Sequence, residues 1–347
     1  MVLHAVAAAM ASVAVSAAPT PVALFSDGVV DDQNRTWACV RGPALVTAPD
    51  GTLLAFAGGG TSCADGHVGF RILLRSSSDN GTSWGPVRAI AGDDHTTGGY
   101  IAPVVDRVRG KVLLMYNRAF AEVWIATSTD SGQTFAAAVN ATSATGPVAV
   151  GPPGGVQLSS GRLAVAAHGS GGTFALLSDD GGATWRHGTP VLFAPGVRNG
   201  GESQLIDDLR GPNSLTMIIR VGSSNVLVNH AVAESDDGGE TWSTNASVVP
   251  AATGPTCQGS VGRLASGELL VAAPHWPHWH SPADRRNMTV WLFAQSQAAT
   301  SAPPLATAEI FAGPAAYSAL STDGRFILFE GGDQYRYASI LFAPVSF

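Results

Sequence analysis

Two parts of the sequence bring residue types that could do chemistry close together. The octapeptide SDDGGATW at 178–185 returns almost unchanged as SDDGGETW at 235–242, and its carboxylates could bind calcium or act as a general acid and base. The segment HWPHWH at 275–280 places three histidines as close together as metal ligands often are. Its interleaved Trp276 and Trp279, with no cysteine or carboxylate pattern nearby, favour an aromatic loop at a cleft rim over a metal site.

The octapeptide belongs to a repeat with four copies. Copies that begin at Ser77, Ser128, Ser178 and Ser235 all fit Ser-x-Asp-x-Gly-x-[Thr/Ser]-[Trp/Phe], at spacings of 51, 50 and 57 residues. Each follows a short apolar run, so each is predicted to be a hairpin turn whose aromatic residue starts the next strand and packs inward. Equivalent copies would lie far apart around a ring, whereas a catalytic site needs different groups at one point. The repeat is therefore predicted to be scaffold.

The spacing of the repeat also predicts the fold. A period near 50 residues is the size of one four-stranded propeller blade. Without its first ~20 residues, the chain has room for about six such blades. Long stretches with apolar residues at helical spacing are missing from the sequence. We therefore predict an all-β fold, a six-bladed β-propeller with these acidic turns, in one domain over residues 19–347.

Residues 1–18 resemble an export signal. An apolar run from Ala5 to Ala18 ends in small residues, as in a signal peptide, although the segment before it carries only His4. The run is short for a membrane span, so no stable span is expected. A secretory route, to the exterior or the lysosome, is also favoured by five glycosylation sequons. They lie at Asn34, Asn80, Asn140, Asn245 and Asn287.

The charge of the chain limits the kinds of partner that we expect, and its cysteine content leaves open whether a disulfide forms. The formal net charge is −7 without a basic run, so nucleic acid is not an expected partner. Lys111 is the single lysine among 19 basic residues, so an anion site would be built from guanidinium groups. In an exported chain Cys39 and Cys63 could pair and leave Cys257 free, but three buried free thiols are an equal alternative.

The repeat resembles the Asp-box of sialidases, which are six-bladed propellers, and further segments extend the resemblance from about Trp37 to the C-terminus. RGPALVTAPDGTLLAFA, from Arg41, is similar to the Arg-Ile-Pro-Ala-Leu segment of that family and the strand that follows it. The segments at 102–116 and 154–168 resemble framework segments of eukaryotic-type members. The chain is thus similar to eukaryotic-type exo-α-sialidases.

Four matched residues imply a site for a carboxylate. Arg41, Arg220 in LTMIIR and Arg285 in RRNMTV match the three carboxylate-binding arginines of the family, and Glu330 in FILFE matches the glutamate that steadies the first arginine. Guanidinium groups bind a carboxylate through charge-assisted hydrogen bonds, each worth roughly 1.5–3 kcal/mol. A sialic acid carries a carboxylate on its anomeric carbon, so the resemblance implies sialylated glycoconjugates as partners.

Three matched residues imply the catalysis. Tyr317 in AAYSAL matches the nucleophile, Glu202 in NGGESQLID its base, and Asp65 in CADGH the acid/base residue. A neutral tyrosine avoids the repulsion that a carboxylate nucleophile would meet from the carboxylate of the substrate, and sialidases are a tyrosine exception among glycosidases. Because a phenol titrates near pH 10, it needs an adjacent base. The implied reaction retains configuration through a tyrosyl intermediate and needs no cofactor.

The sequence departs from the family pattern at three places. Gly42 replaces the family's isoleucine and Gly201 its asparagine, while Gly58 to Gly60 stand where the family often has Ala-Glu and then an arginine. The last departure removes side chains that would help hold the substituents of the sugar ring. This departure bears on affinity and on the preference among sialic acids, and less on catalysis, because the seven matched residues remain.

The expected function is that of an exo-α-sialidase, which hydrolyses terminal α-linked sialic acids from glycoproteins, glycolipids or oligosaccharides. Two alternatives stay open. A trans-sialidase would use the same site to transfer the sialic acid to another sugar. A non-catalytic propeller would bind glycans or proteins, and its seven matched residues would not need to converge.

Overall fold

The computed structural model describes residues 20–66, 68–195, 197–222, 230–242, 245–276, 284–294 and 303–347. The expected export signal at 1–18 lies outside these residues, as do Pro277 to His280 of the histidine-rich segment. In the described part of the chain, no helix is long and apolar enough to cross a membrane.

The strands form six four-stranded blades and a small hairpin, and the N-terminal strand belongs to the last blade. The N-terminal strand is β1 (Val22–Ser26), and the hairpin consists of β2 (Val29–Val30) and β3 (Thr36–Trp37). Blade 1 contains β4 (Cys39–Thr47), β5 (Leu53–Gly60), β6 (Arg71–Ser77) and β7 (Arg88–Gly92). Blade 2 contains β8 (Thr97–Asp106), β9 (Lys111–Arg118), β10 (Glu122–Ser128) and β11 (Val139–Asn140), and a short helix α1 (Thr142–Thr145) follows.

The remaining blades continue in chain order. Blade 3 contains β12 (Ala149–Gln157), β13 (Leu163–Gly169), β14 (Gly172–Ser178) and β15 (Arg186–His187). Blade 4 contains β16 (Arg198–Asp208), β17 (Ser214–Gly222), β18 (His230–Ser235) and β19 (Ser247–Val248). Blade 5 contains β20 (Ser260–Arg263), β21 (Leu269–Pro274), β22 (Arg286–Phe293) and the first half of β23 (Ala306–Leu320). Blade 6 contains the second half of β23, then β24 (Phe326–Gly331), β25 (Ser339–Pro344) and β1.

The ring closes by a pairing between the two ends of the described chain. Strand β1 pairs antiparallel with β25, with Val22 opposite Phe342, so the first strand completes the last blade. The first strand of each blade lies nearest the axis and contacts the first strands of its two neighbours. This confirms the predicted all-β, six-bladed propeller.

The core consists of six apolar clusters, one between each pair of neighbouring blades. On β13, Leu163 and Val165 pack toward blade 2, while Ala164 and Ala166 pack toward blade 4. Successive side chains of a strand point to opposite faces. Both faces of a blade are buried against its neighbours, so apolar residues do not strictly alternate with polar ones along these strands. This accounts for the high hydrophobic content of the chain.

The four acidic octapeptides are tight turns between the third and fourth strands of blades 1 to 4. In the third copy, the Ser178 hydroxyl donates to Asp180 (2.8 Å) and accepts from the Gly182 N–H (2.8 Å), and Asp180 also accepts from the Thr184 N–H (2.9 Å). Trp185 packs into the cluster between blades 2 and 3. The carboxylate is thus used within its own turn, as predicted.

One detail of that prediction is wrong for three copies. Trp185 directly precedes β15, but Trp84, Phe135 and Trp242 lie four or five residues before their fourth strands. In two of those copies the residue after the aromatic one already bonds the third strand, since the Gly85 N–H donates to the Ser76 carbonyl and the Ala136 N–H to the Thr127 carbonyl, both at 2.9 Å. All the aromatic residues still pack against the core.

Candidate active site

The seven matched residues come from four blades but meet at one end of the propeller. Arg41 lies on β4, Glu202 on β16, Arg220 on β17, Tyr317 on β23 and Glu330 on β24, while Asp65 follows β5 and Arg285 directly precedes β22. All but Glu330 line one pocket. Strand register shows that this is the end opposite the octapeptides, because Arg41 pairs with Gly58 near the end of β5, whereas Ser77 pairs with Leu53 at its start.

Bulges in the inner strands explain why these side chains reach the pocket. Regular pairing is interrupted between Arg41 and Ala44 on β4, between 199 and 203 on β16, and between Ala315 and Ser318 on β23. A bulge bends the strand and re-aims a side chain out of the ladder. Glu202 and Tyr317 lie inside two of these bulges, so each points toward the axis instead of into a blade interface.

Tyr317, Glu202 and Arg220 form a contiguous hydrogen-bonded group. The Tyr317 hydroxyl donates to Oε1 of Glu202, and Nη1 of Arg220 donates to Oε2 of the same carboxylate at 2.5 Å. Nη1 of Arg220 also lies 3.4 Å from the Tyr317 hydroxyl. Glu202 is buried, so its charge is balanced by the guanidinium.

Burial raises the pKa of the Tyr317 phenol well above its usual value, and the negative charge of Glu202 raises it further. The phenol is therefore neutral at ordinary pH and must pass its proton to a base before its oxygen can form a bond. Glu202 already accepts that proton in a hydrogen bond. The geometry is that of a phenol beside a carboxylate that can accept its proton.

Glu330 organises the other side of the pocket. Its fully buried carboxylate accepts from Nε of Arg41 at 3.0 Å and from the Gly42 N–H at 2.9 Å through one oxygen. Its other oxygen accepts from the Tyr317 N–H at 3.3 Å. Burial lowers the pKa of Arg41, but the Glu330 carboxylate and the nearby Tyr337 and Tyr317 together outweigh this, and the net shift is upward. Arg41 is therefore a fixed positive charge.

Arg285 is held by neutral oxygens. Its Nε and Nη2 donate to the Thr256 carbonyl at 3.1 and 2.9 Å, and its Nη1 lies 3.4 Å from the Tyr337 hydroxyl. The neighbouring Arg286 instead lies over the ring of Trp276 at 4.9 Å. Of the two consecutive arginines, Arg285 is thus the one in the pocket.

Asp65 is the exposed member of the set. Its side chain is 79 % exposed and pairs with Nη1 of Arg41 at 3.2 Å. A disulfide joins Cys39 to Cys63, two residues before Asp65, and Cys257 is a buried free cysteine. The structure thus decides the alternatives that the sequence left open, in favour of the disulfide.

Two of the departures have a local cause in the structure. Gly201 has φ +94°, where a side chain is strained, and a Cβ there would lie 2.6 Å from the His168 ring. A Cβ at Gly60 would lie 2.6 Å from Phe70, and one at Gly59 would lie 2.9 Å from Trp37. Aromatic rings therefore occupy the space beside β5 that longer side chains would need.

Sequence analysis missed four aromatic residues of the site. Phe70, Tyr100 and Phe120 line the pocket, and the charge of Glu202 contributes to the raised pKa of the Tyr100 phenol. Tyr337 lies beneath Arg41, with the guanidinium 3.7 Å from its ring centre. Tyr100 follows a glycine pair and lies in a bulge of β8, as Glu202 does on β16. A glycine pair within an inner strand was therefore a usable signal.

The histidine-rich segment shows no metal chemistry in its described part. His275 hydrogen-bonds the Thr253 carbonyl at 2.8 Å and packs edge-on against Trp291. Groups of three or more His, Cys, Asp or Glu residues that could hold a metal ion are absent from the described residues. The rest of the segment, with His278 and His280, lies outside them.

Comparisons with known proteins support the same fold. The Hadza microbial sialidase Hz136 matches with a TM-score of 0.70 at 21 % identity, over 90 % of this chain and 66 % of that one. The intramolecular trans-sialidase of Ruminococcus gnavus matches with 0.71 at 14 %, over 90 % and 95 %. The leech intramolecular trans-sialidase matches with 0.74 at 15 %, over 95 % and 70 %. The chain thus spans just under two thirds of the Hadza enzyme.

The eukaryotic-type character stays a prediction, because these similarities show the fold alone. The family is shown by a different comparison: residues 51–341 match the BNR repeat-like domain. That match covers most of the chain and contains all four octapeptides. The chain therefore belongs to the BNR repeat-like domain family, with the six-bladed fold that sialidases share.

Proposed function

We propose that the protein is a retaining exo-α-sialidase that hydrolyses terminal α-linked sialic acids from glycoconjugates. The observation that carries this proposal is the Tyr317–Glu202 hydrogen bond beneath Arg220. Arg41 and Arg285 line the same pocket. A neutral nucleophile beside three guanidinium groups suits a substrate that carries a carboxylate on its reacting carbon.

In the first step, the Tyr317 oxygen attacks the anomeric carbon and its proton passes to Glu202. The glycosidic bond breaks as Asp65, in its protonated form, gives a proton to the leaving oxygen. The three arginines hold the sugar carboxylate and so orient the anomeric carbon toward Tyr317.

In the second step, Asp65 takes a proton from water, and the water oxygen attacks the anomeric carbon. The bond to Tyr317 breaks, and Glu202 returns the proton to the phenol oxygen. Two displacements at one carbon give net retention. No step requires a cofactor.

The test is the hydrolysis of a fluorogenic aryl α-sialoside by the wild type and by Tyr317→Phe over about pH 4 to 8. The phenylalanine variant keeps the ring but loses the nucleophilic oxygen, so kcat/KM should fall by at least about 10³-fold. Inactive wild-type protein would contradict the enzyme and favour a non-catalytic binding propeller. Equal activity of the two proteins would contradict the nucleophile alone.

Transfer is a second candidate, because the fold matches intramolecular trans-sialidases as well as a sialidase at similar TM-scores. Both reactions share the first step and differ in what attacks the tyrosyl intermediate. Identification of the sugar product separates them. Free sialic acid indicates hydrolysis, whereas an anhydro sugar or a new sialoside indicates transfer.

We also propose a secretory route for the protein. Disulfides persist in oxidising compartments, and the Cys39–Cys63 bond is present. Four sequon asparagines are exposed, namely Asn34, Asn80, Asn140 and Asn245. Expression in a secreting eukaryotic cell should give protein that loses mass on treatment with an N-glycan endoglycosidase. Unmodified protein retained inside the cell would contradict the proposal.

A further inference from the structure

Each cysteine of the disulfide lies two residues before a residue of the site. Cys39 is two residues before Arg41 on β4, and Cys63 is two residues before Asp65 in the segment between β5 and β6. The covalent bond therefore joins the strand that carries a carboxylate-binding arginine to the segment that carries the proposed acid/base residue.

The two sides of this link differ in how firmly they are held. Cys39 is 1 % exposed, and Arg41 is fixed by the buried Glu330. Asp65, by contrast, is 79 % exposed, and its carboxylate pairs with Arg41 at 3.2 Å. Exposed ion pairs contribute only about 0–1 kcal/mol. The ion pair is thus too weak to fix the position of Asp65.

The disulfide supplies the stronger constraint. It holds Cys63 against the apolar cluster of Cys257, Ala316 and Tyr337 below the pocket. It also places the Cys63 carbonyl where Nη1 of Arg41 donates to it at 3.1 Å. Beyond Asp65, Gly66 has φ +79°, and a Cβ placed on it would meet no atom within 4 Å, so the chain is not closely packed at that position.

We propose that the Cys39–Cys63 disulfide is a positioning device for Asp65, an inference that rests on the proposed function. It holds the carboxyl group at the mouth of the pocket, where it can protonate the leaving oxygen. Neither cysteine lines the pocket. Its effect should therefore appear in the steps that use Asp65, and kcat/KM reports the first of them, in which Asp65 gives its proton to the leaving oxygen.

The leaving group provides the readout. A sugar alcohol leaves poorly without a proton, whereas an acidic phenol such as nitrophenol leaves readily as its anion. Loss of general acid catalysis therefore slows the departure of the sugar alcohol far more than that of the phenol. A general loss of folding would penalise both equally, because it lowers the amount of active enzyme.

The experiment measures kcat/KM of Cys39→Ser/Cys63→Ser on a sialyl-lactose and on a nitrophenyl α-sialoside. Against the sialyl sugar, activity should fall about 10- to 100-fold, a part of the 10²–10⁴-fold that general acid catalysis supplies. Against the nitrophenyl substrate it should fall less than about 3-fold. Asp65→Ala should show the same selectivity in larger degree.

Two comparisons separate positioning from stability. Asp180→Ala weakens a turn at the opposite end of the propeller, so any activity that it loses should be lost equally for both substrates. Reduction of the folded wild type with a dithiol, followed by alkylation of the freed thiols, should reproduce the selectivity of the double variant without refolding.

Each outcome decides a different question. Equal losses on both substrates, or no loss after verified reduction, would overturn the positioning role while leaving the sialidase assignment intact. Wild-type protein inactive on both substrates would overturn the proposed function, and the positioning role with it.

Discussion

The guanidinium of Arg41 lies 3.7 Å from the ring centre of Tyr337, whose hydroxyl is 3.4 Å from Nη1 of Arg285. One buried tyrosine thus supports two of the three arginines that line the pocket. A cation over an aromatic face is stabilised by about 0.5–2 kcal/mol, more when desolvated. Tyr337 was absent from the sequence-based site, yet it is well placed to fix the spacing of these charges.

Replacement of Tyr337 should therefore weaken substrate binding. Tyr337→Leu removes the aromatic face, and KM for a sialoside should rise about 5- to 30-fold, as expected for a loss of about 1–2 kcal/mol. Tyr337→Phe keeps the face and loses only a long hydrogen bond, so its KM should rise less than about 3-fold. Steady-state kinetics on both variants checks this. Similar KM values for leucine and phenylalanine would contradict the role of the ring.

Tyr100 should affect turnover more than binding. Burial raises the pKa of its phenol, and the charge of Glu202 raises it further, so the hydroxyl stays protonated and is available to donate to that carboxylate. A hydrogen bond to a charged group is worth about 1.5–3 kcal/mol. Tyr100→Phe should lower kcat by about 10-fold or more with little change in KM. A variant with unchanged kcat would show that this hydroxyl does not hold the base.

His230 should make the fold less stable in acid. Its ring is buried opposite Arg220, and burial, with a smaller effect of that arginine, lowers its pKa from 6.5 to about 4. The unfolded chain takes up a proton near pH 6.5 while the folded chain does not. Stability is therefore full above pH 6.5 and falls as the pH drops toward about 4, by about 3 kcal/mol.

Denaturant unfolding at several pH values tests this contribution. His230→Gln cannot take up the proton in either state, so its free energy of unfolding should fall less than that of the wild type between about pH 6.5 and 4. Identical pH dependence of the two proteins would contradict the assignment to His230.

The Asp-box turn should contribute to stability and not to catalysis. Asp180 accepts hydrogen bonds from the backbone N–H and the hydroxyl of Thr184 and from the hydroxyl of Ser178. These bonds hold the pKa of Asp180 at about 2. Asp180→Ala should lower the free energy of unfolding by about 1–2 kcal/mol at neutral pH. Its kcat/KM, corrected for folded protein, should equal that of the wild type.

The same turn has a predicted acid dependence. The folded-state pKa lies below the unfolded value of 3.8, so the stabilisation is present above about pH 4 and is lost as the pH falls toward 2. The stability difference between the wild type and Asp180→Ala should therefore shrink over that range. A constant difference down to about pH 2 would contradict the proposed hydrogen bonding.

The sequence by itself determined the architecture. The spacing of the octapeptides predicted the number of blades, because each blade that has this turn has it once and with the same Ser-to-Asp hydrogen bond. The apolar runs predicted the strands, because a blade is buried on both faces. The ordered motifs placed Arg41, Glu202 and Tyr317 among the candidates, since each motif is local in the chain.

Only the tertiary structure decided which of these groups touch. Tyr317 and Glu202 are separated by 115 residues, and ring closure through β1 and β25 brings their blades to one axis. The Cys39–Cys63 bond could form because the register of β4 against β5 brings the two cysteines together. Tyr337 contacts Arg41 because blades 1 and 6 pack against each other. Such contacts depend on how the blades pack around the axis, which joins residues distant in the chain and is not encoded by any local pattern.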